Sequence, residues 1–107
     1  MQTRTEQVGG ELVLSLEGEV GIAEAGRLRD ELLGSFDRAE QITVDLSQLQ
    51  DMDTAAMQLL YAAHHTAGKR RKAFAVRNTP EAVSRSLGLL GLTDAAPFSR
   101  GGDEVRS

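Results

Sequence analysis

The chain has 107 residues, a net charge of −4 and no cysteine. This length fits one domain whose apolar core can fold unaided, and the missing cysteine excludes disulfides, thiolate catalysis and cysteine-ligated metal centres. The acidic charge argues against general nucleic-acid binding, which needs a basic surface. We find neither a signal peptide nor an apolar run long enough to span a membrane, so we expect a cytoplasmic protein.

The first third of the chain predicts two strands and a helix. Residues 8–10, Val-Gly-Gly, are a turn signal between two extended segments. Residues 12–17 alternate leucine with other side chains, the period of a strand that ends at Gly18. Residues 22–36 change to helical spacing, with one apolar face formed by Ala25, Leu28, Leu32 and Phe36.

The middle of the chain predicts a second strand and a second helix. Residues 41–46 alternate again, and residues 47–52 are expected to form a loop. A helix then spans residues 54–67 and stops at Gly68. The basic run at residues 69–72 is expected to be a solvated turn or a contact with an acidic partner. The apolar stripe of the predicted helix is Ala56, Leu59, Leu60, Ala63 and Ala67.

The last third predicts one more strand and one more helix. Residues 72–77 have strand spacing, and Thr79 and Pro80 suit the N-cap and the first position of a third helix. Gly88, followed by Gly91, is expected to break that helix. A last short strand is expected within residues 92–98.

The alternation of strand and helix after residue 10 indicates an α/β domain with a largely parallel sheet. We expect this domain to span residues 1–98 and the Gly- and charge-rich residues 99–107 to be disordered. In such sheets the functional surface lies where the carboxyl ends of strands meet the N-termini of helices. The most polar of these corners is Asp-Met-Asp-Thr at residues 51–54.

The sequence offers little support for an enzyme or for a bound cofactor. It has no Gly-x-Ser-x-Gly and no phosphate-binding glycine motif. His64 and His65 are adjacent on a predicted helix, where they diverge too far to bind one metal ion. Asp45, Asp51 and Asp53 could be read as a magnesium or phospho-acceptor site. Such a site also needs a lysine after the last strand, which the sequence lacks.

The residues by themselves leave two roles open for Thr54. Asp53 or Thr54 could cap the second helix by accepting hydrogen bonds from its free N–H groups. Alternatively, Thr54 could be a regulatory hydroxyl. A phosphate added there would meet the positive end of the helix dipole and would place about two negative charges beside Asp53 and Asp51.

Several segments, taken together, resemble the STAS domain of bacterial anti-sigma-factor antagonists and of the tails of anion transporters. Residues 42–49, Ile-Thr-Val-Asp-Leu-Ser-Gln-Leu, are similar to the family's strand that ends in Asp-Leu-Ser. Residues 52–60, Met-Asp-Thr-Ala-Ala-Met-Gln-Leu-Leu, are similar to the Asp-Ser-Ser/Thr-Gly-Leu motif and the helix after it. Residues 16–20 and 78–92 resemble two further family motifs, so the resemblance covers roughly residues 10–98.

The resemblance implies a four- to five-stranded, mostly parallel sheet with its helices mainly on one side. It also implies a regulatory protein rather than an enzyme, with no cofactor. The family's antagonists bind an ATP-dependent serine kinase that doubles as an anti-sigma factor, and phosphorylation of the first hydroxyl residue after the motif's Asp ends that binding. That hydroxyl corresponds to Thr54. The expected partner-binding residues are Asp53, Thr54, Ala55, Met57, Gln58 and Tyr61.

Three departures from the family pattern keep another function open. Thr54 stands where the antagonists have Ser, and Ala55 and Ala56 replace a hydroxyl residue and a glycine, which makes the corner bulkier and less polar. The family's usual last helix has no counterpart after Phe98. The Asp-Thr form also resembles STAS subunits of chemotaxis-kinase complexes and of lipid-transport ABC systems, which would use the same face without phosphorylation.

Overall fold

The structure, a computed structural model, describes residues 1–89 and 98–100 as one five-stranded sheet with three α-helices. The strands are β1 (Gln2–Val8), β2 (Glu11–Val20), β3 (Gln41–Met52), β4 (Ala73–Thr79) and β5 (Phe98–Arg100). The helices are α1 (Ala25–Phe36), α2 (Thr54–Lys69) and α3 (Glu81–Leu89), and a 3₁₀ turn (Ile22–Glu24) precedes α1. The strands lie in the order β1-β2-β3-β4-β5. Among these five strands, only the β1–β2 pair is antiparallel, which confirms the predicted α/β fold.

The β1–β2 hairpin turns through two glycines, as the sequence predicts. Val8 pairs with Glu11, so Gly9 and Gly10 form a two-residue turn. Gly9 has φ +61°, a conformation that costs a residue with a side chain and that the first position of this turn requires.

The core lies between the sheet and the three helices. Each helix connects two neighbouring parallel strands, and right-handed connections that all advance in one direction put the helices on the same side. The strand residues on that side are buried and alternate with half-buried ones, as in β2, where Leu12, Leu14 and Leu16 alternate with Val13 and Ser15. Most of both predicted helix stripes is confirmed: α1 buries Leu28, Leu32 and Phe36, and α2 buries Ala56, Leu60, Ala63 and Ala67. The other two predicted members, Ala25 and Leu59, are half-buried.

The predicted loop at residues 47–52 is wrong, because β3 continues to Met52. Its partner β2 continues to Val20, and the two pair to their ends across register shifts near Leu16 and Gly18. At the first shift the Asp45 carboxylate accepts a hydrogen bond from the Ser47 N–H at 2.9 Å. At the second, Gly18 adopts φ +86°. After the shift the buried residues of β3 are Leu49 and Met52, so the period-2 signal is lost.

Two predicted helix boundaries are also wrong. Helix α2 runs through Gly68 to Lys69, and the residue with the left-handed conformation is Arg71, at φ +59°. Thr79 is not an N-cap: it lies in β4, it is 5 % exposed, and its hydroxyl has no hydrogen-bond partner among the described residues. The first turn of α3 instead uses the carbonyl of Pro80, which accepts from the Ser84 N–H at 2.9 Å.

The C-terminal predictions are only partly covered by the described residues. Helix α3 continues through Gly88, which therefore does not break it. A strand occupies Phe98–Arg100, and it includes the first two residues of the tail that was expected to be disordered. The strand expected within 92–98 falls mainly on residues outside the described part, as do Gly91 and residues 101–107.

Candidate functional site

The corner between β3 and α2 is held in place by the end of β2. Met52, the last residue of β3, pairs with Val20, the last residue of β2. One residue later, the Asp53 N–H donates to the Val20 carbonyl at 2.8 Å. The corner therefore lies at the carboxyl edge of the parallel sheet, where two strand ends meet one helix N-terminus.

Asp53 is the N-cap of α2, which leaves Thr54 free for another role. Asp53 has extended backbone angles, φ −71° and ψ 155°, and its Oδ1 accepts from the Ala55 N–H at 2.8 Å. Its carbonyl accepts the first helical hydrogen bond, from the Met57 N–H at 3.1 Å. Thr54 is exposed at the first helical position, and its hydroxyl makes no hydrogen bond within the described part of the chain.

The exposed side of α2 continues from this corner. Gln58 is exposed and Tyr61 is half-buried. With Thr54 they follow the i, i+4, i+7 spacing of one helix face, and we call these three residues the α2 stripe. The Tyr61 ring packs edge-to-face on His65, with centroids 5.8 Å apart. The structure thus brings these predicted partner-binding residues together on one surface with Asp53.

Two residues expected at this corner lie elsewhere. Met57 is 1 % exposed and belongs to the hydrophobic core, so the prediction that it contacts a partner is wrong for this surface. Ala56 is completely buried, so it does not make the exposed corner bulkier, contrary to the expectation. Ala55 is half-buried beside Thr54 and is the alanine that reduces the polarity of the surface.

An acidic depression of about 500 Å³ adjoins the corner. Its acidic residues are Glu19 and Glu24, from β2 and the 3₁₀ turn, and Asp51 and Asp53, from the end of β3 and the cap. The Glu24 Oε1 also accepts from the Gly21 N–H at 3.0 Å. The predicted partner-binding residues included neither Glu19 nor Glu24, although Glu19 lies in the Leu-Glu-Gly-Glu-Val segment that resembles a family motif.

Comparison with known proteins assigns the fold to a family. Residues 3–98 match a family model described as "Mlab, STAS domain". This chain belongs to the STAS domain family. An anti-sigma factor antagonist from Mycobacterium paratuberculosis is similar in structure, with 25 % sequence identity and a TM-score of 0.75 over 91 % of this chain and 86 % of that one. No curated protein matches this STAS chain by sequence.

Two more distant structures show the same STAS fold. The phosphorylated form of the Bacillus cell fate determinant SpoIIAA is 15 % identical, with a TM-score of 0.72 over 98 % of this chain and 96 % of that one. The murine anion transporter named solute carrier 26 family member A9 is 14 % identical, with a TM-score of 0.69 over 85 % of this chain and 16 % of that one. Within residues 1–89 and 98–100 of this STAS chain, none of the helices combines the length and the hydrophobicity that a membrane-spanning helix requires.

The three aspartates that suggested a magnesium site serve separate parts of this STAS domain. Asp45 binds the Ser47 N–H and the Asn78 side chain, whose Nδ2 donates to its Oδ1 at 3.1 Å. Asp51 accepts from the Met52 N–H at 2.8 Å, and Asp53 caps α2. Nowhere in residues 1–89 and 98–100 are three or more His, Cys, Asp or Glu side chains grouped to hold a metal ion.

The Asp45 carboxylate stabilises the β3 bulge that leads to the corner. Partial burial raises its pKa, but hydrogen bonds from the Ser47 N–H, the Asn78 amide and the Ser47 hydroxyl favour the charged form, and together they lower the pKa below its ordinary value. Asn78 reaches Asp45 from a left-handed conformation, φ +59°, which asparagine tolerates better than most residues. The Asp-Leu-Ser motif is therefore a structural support of the site.

Proposed function

We propose that this STAS protein is a non-enzymatic cytoplasmic regulator that binds a serine kinase acting as an anti-sigma factor. The partner contacts Asp53, Ala55 and the α2 stripe, and phosphorylation of Thr54 ends the binding. The observation that carries the proposal is the placement of Thr54, an exposed hydroxyl without a capping role at the helix N-terminus of the corner. The similarity to an anti-sigma factor antagonist supports the choice of partner.

Electrostatics explains how a phosphate on Thr54 would act. The positive end of the α2 dipole tolerates the added charge, so the helix stays folded. The corner is already acidic, because Glu19, Glu24, Asp51 and Asp53 line the adjoining depression. A further charge of about −1.5 to −2 changes the surface offered to the partner more than it changes the fold.

The acidic residues of the depression indicate which charge the partner's surface carries. A surface that complements Glu19, Asp51 and Asp53 carries Lys or Arg at its rim. The association rate of such a pair falls as salt rises, because charge attraction steers the encounter. We expect the association rate to drop several-fold between about 50 and 200 mM salt.

Incubation with the serine kinase encoded nearest to the gene, with ATP, tests the switch. Mass spectrometry should find phosphate on Thr54, and calorimetry should show binding of the unmodified protein only. Thr54→Glu should weaken binding at least about tenfold, while Thr54→Val should bind normally and no longer respond to ATP.

Ala82→Glu is the matched control for the charge. Ala82 is exposed in the first turn of α3, so this variant adds one negative charge at a different helix N-terminus. It should bind like the wild type. Phosphate absent from Thr54, or full binding by Thr54→Glu, would show that the switch does not exist.

A constitutive STAS subunit of a lipid-transport ABC system or of a chemotaxis-kinase complex is the second candidate. Two observations favour it: the matching family model is described as Mlab rather than as an antagonist, and half-buried Ala55 follows Thr54 where the antagonists have a hydroxyl. The same surface would then bind without regulation. Purification of C-terminally tagged protein from native membranes should recover one defined partner, equally with Thr54→Glu and with the wild type.

A further inference from the structure

Strand β1 is a long, regular and exposed edge of the sheet. Among the described strands it is the first in the sheet order and pairs only with β2. All seven of its residues pair in a continuous register, and all except half-buried Thr3 are exposed. The other outer strand, β5, has only three residues. The free hydrogen-bonding groups of the sheet are therefore concentrated along Gln2–Val8.

This edge lacks several of the features that usually prevent edge strands from pairing with other strands. Natural edges are protected by proline, by charged side chains (lysine above all), by bulges or by short length, because an unpaired strand is a template for another strand. The sequence Gln-Thr-Arg-Thr-Glu-Gln-Val contains neither proline nor lysine, and its register shows no bulge. Among the described residues, no other element pairs with its outer side.

The side chains of β1 divide between the two faces of the sheet. Thr3, Thr5 and Gln7 pair with Leu16, Leu14 and Leu12, and so lie on the face that carries the helices. Two hydrogen bonds support this: the Thr3 hydroxyl donates to Glu31 at 3.1 Å, and the Gln7 amide donates to the Arg38 carbonyl at 2.6 Å.

Arg4 and Glu6 lie on the opposite, helix-free face. Arg4 and Glu17 form an ion pair across the hairpin at 3.6 Å, yet the Arg4 side chain remains 76 % exposed. The charged side chains of this edge therefore stay accessible to a second strand.

Symmetry selects one register for two copies of β1 that pair antiparallel. In an antiparallel pair, residues directly opposite each other lie on the same face of the sheet. In a symmetric dimer, one residue therefore lies opposite the same residue of the second copy, and the two-fold axis runs midway between these two residues. An axis at Arg4 places Arg4 against Arg4, and an axis at Glu6 places Glu6 against Glu6. An axis at Thr5 pairs all seven residues and places each Arg4 opposite Glu6 of the second copy. Opposite charges directly across a strand pair stabilise it, and like charges destabilise it.

We propose that the protein forms a symmetric homodimer in which two β1 strands pair antiparallel about Thr5 and join two sheets into one. Each copy contributes Arg4 and Glu6 to two cross-strand ion pairs. The two-fold axis is normal to the sheet, so the two Thr54 corners point in opposite directions along the strands and both stay accessible. One strand pair is a small interface, so the dimer is weak and depends on concentration.

Variants with reversed charges at residues 4 and 6 test the register. Self-association is measured by sedimentation equilibrium up to about 1 mM protein, because a dimer with so small an interface forms only at high concentration. Arg4→Glu and Glu6→Arg should each weaken self-association at least about tenfold, because each places two like-charged pairs in the dimer. An equimolar mixture of the two variants should dimerise again, since every pair is then of opposite charge. Arg29→Glu, on exposed α1, changes the net charge as Arg4→Glu does and should dimerise normally.

A cross-link gives an independent test, because the chain has no cysteine and each new thiol is unique. Thr5→Cys places the two thiols side by side at the axis, whereas Thr3→Cys separates them by four residues along the strands, roughly 13 Å. Mild oxidation or a short bis-maleimide should join the Thr5→Cys copies and leave Thr3→Cys monomeric. A protein monomeric up to about 1 mM, or equal cross-linking of both variants, would overturn the proposal.

Discussion

The two ends of α2 differ in how they are attached to the rest of the molecule. At the N-terminal end, one cap and one backbone bond hold the chain: Asp53 Oδ1 accepts from the Ala55 N–H at 2.8 Å, and the Asp53 N–H donates to Val20 at 2.8 Å. The neighbouring Thr54 is exposed. This end presents polar and acidic groups to solvent.

The C-terminal end is tied to the end of α1 and to the turn before β3. Arg70 lies 5.7 Å from the centre of the Phe36 ring and 3.6 Å from the Asp37 carboxylate. The Lys72 ammonium donates to the Ala39 carbonyl at 3.0 Å. Residues 69–71 of the basic run are exposed, as expected, but the side chains of Arg70 and Lys72 also contact the end of α1 and the turn after it.

Contacts that stabilise the fold therefore lie at the C-terminal end of α2, and the groups available for binding lie at its N-terminal end. Contacts at the amino edge of the sheet bury the Phe36 ring and most of the Lys72 side chain, whereas the carboxyl edge keeps its hydroxyl and carboxylates available. Substitutions at the amino edge should change the free energy of unfolding. Substitutions at the carboxyl edge should change the affinity for the partner more than the stability of the fold.

Phe36→Ala should have the largest effect. Phe36 is 1 % exposed and packs edge-to-face on Phe74, with centroids 6.1 Å apart. Its loss should lower the free energy of unfolding by about 3–5 kcal/mol in urea denaturation. Leu33→Ala, on the same helix but 40 % exposed, is the control and should cost clearly less. Equal losses in both variants would contradict the importance of this edge.

Asp53→Ala should have the next largest effect on stability. It removes the cap of α2, which should cost about 1 kcal/mol. Amide hydrogen exchange should accelerate in the first turn of α2 and not in its last turn. Asp53→Asn keeps a capping oxygen and should restore most of the protection. Exchange that accelerates along the whole helix would show that the two ends are not independent.

The bulge before the corner should make stability depend on pH. The folded state lowers the pKa of Asp45, so the native protein binds fewer protons there than the unfolded chain. The resulting stabilisation is complete well above the unfolded pKa of about 3.9 and is lost as pH falls through the lower folded value. The stability difference between wild type and Asp45→Asn should therefore shrink below about pH 4.

The Asn78 amide gives a direct check of the same effect. Asn78→Gly removes its hydrogen bond to Asp45 and still permits the left-handed backbone at φ +59°. An NMR titration should then show a higher pKa for Asp45 than in the wild type. An unchanged pKa would mean that the Ser47 bonds alone favour the charged form.

Asp37→Ala should have the smallest effect. The pair with Arg70 is exposed, with 44 % of the Arg70 side chain and 80 % of the Asp37 side chain accessible. Exposed pairs contribute little, so we expect a change within about 0.5 kcal/mol in thermal or urea denaturation. A larger loss would show that Asp37 holds Arg70 against the Phe36 ring.

Much of the architecture could be predicted because local patterns carry it. The spacing of Leu28, Leu32 and Phe36 identified the buried face of α1, and the two glycines after Val8 identified the hairpin. Asp53 was one of two residues predicted to cap α2, and it is the cap.

The second half of β3 could not be predicted from local patterns. Its pairing with the end of β2 is long-range, and the register shifts remove the period-2 signal on which a sequence prediction depends. The prediction for Thr79 was wrong for a related reason. Threonine suits a helix cap, but here tertiary packing places it at the end of a buried strand.

The sequence by itself determined the class of fold, the family resemblance and the location of the Asp53–Thr54 corner, since spacing and motif are properties of neighbours along the chain. Only the tertiary structure decided which residues share that corner. It added Glu19 and Glu24 through the pairing of β2 with β3, and it removed Met57 by turning that side chain into the core. Which side chains meet depends on strand register and helix rotation, and both are set by packing between distant segments.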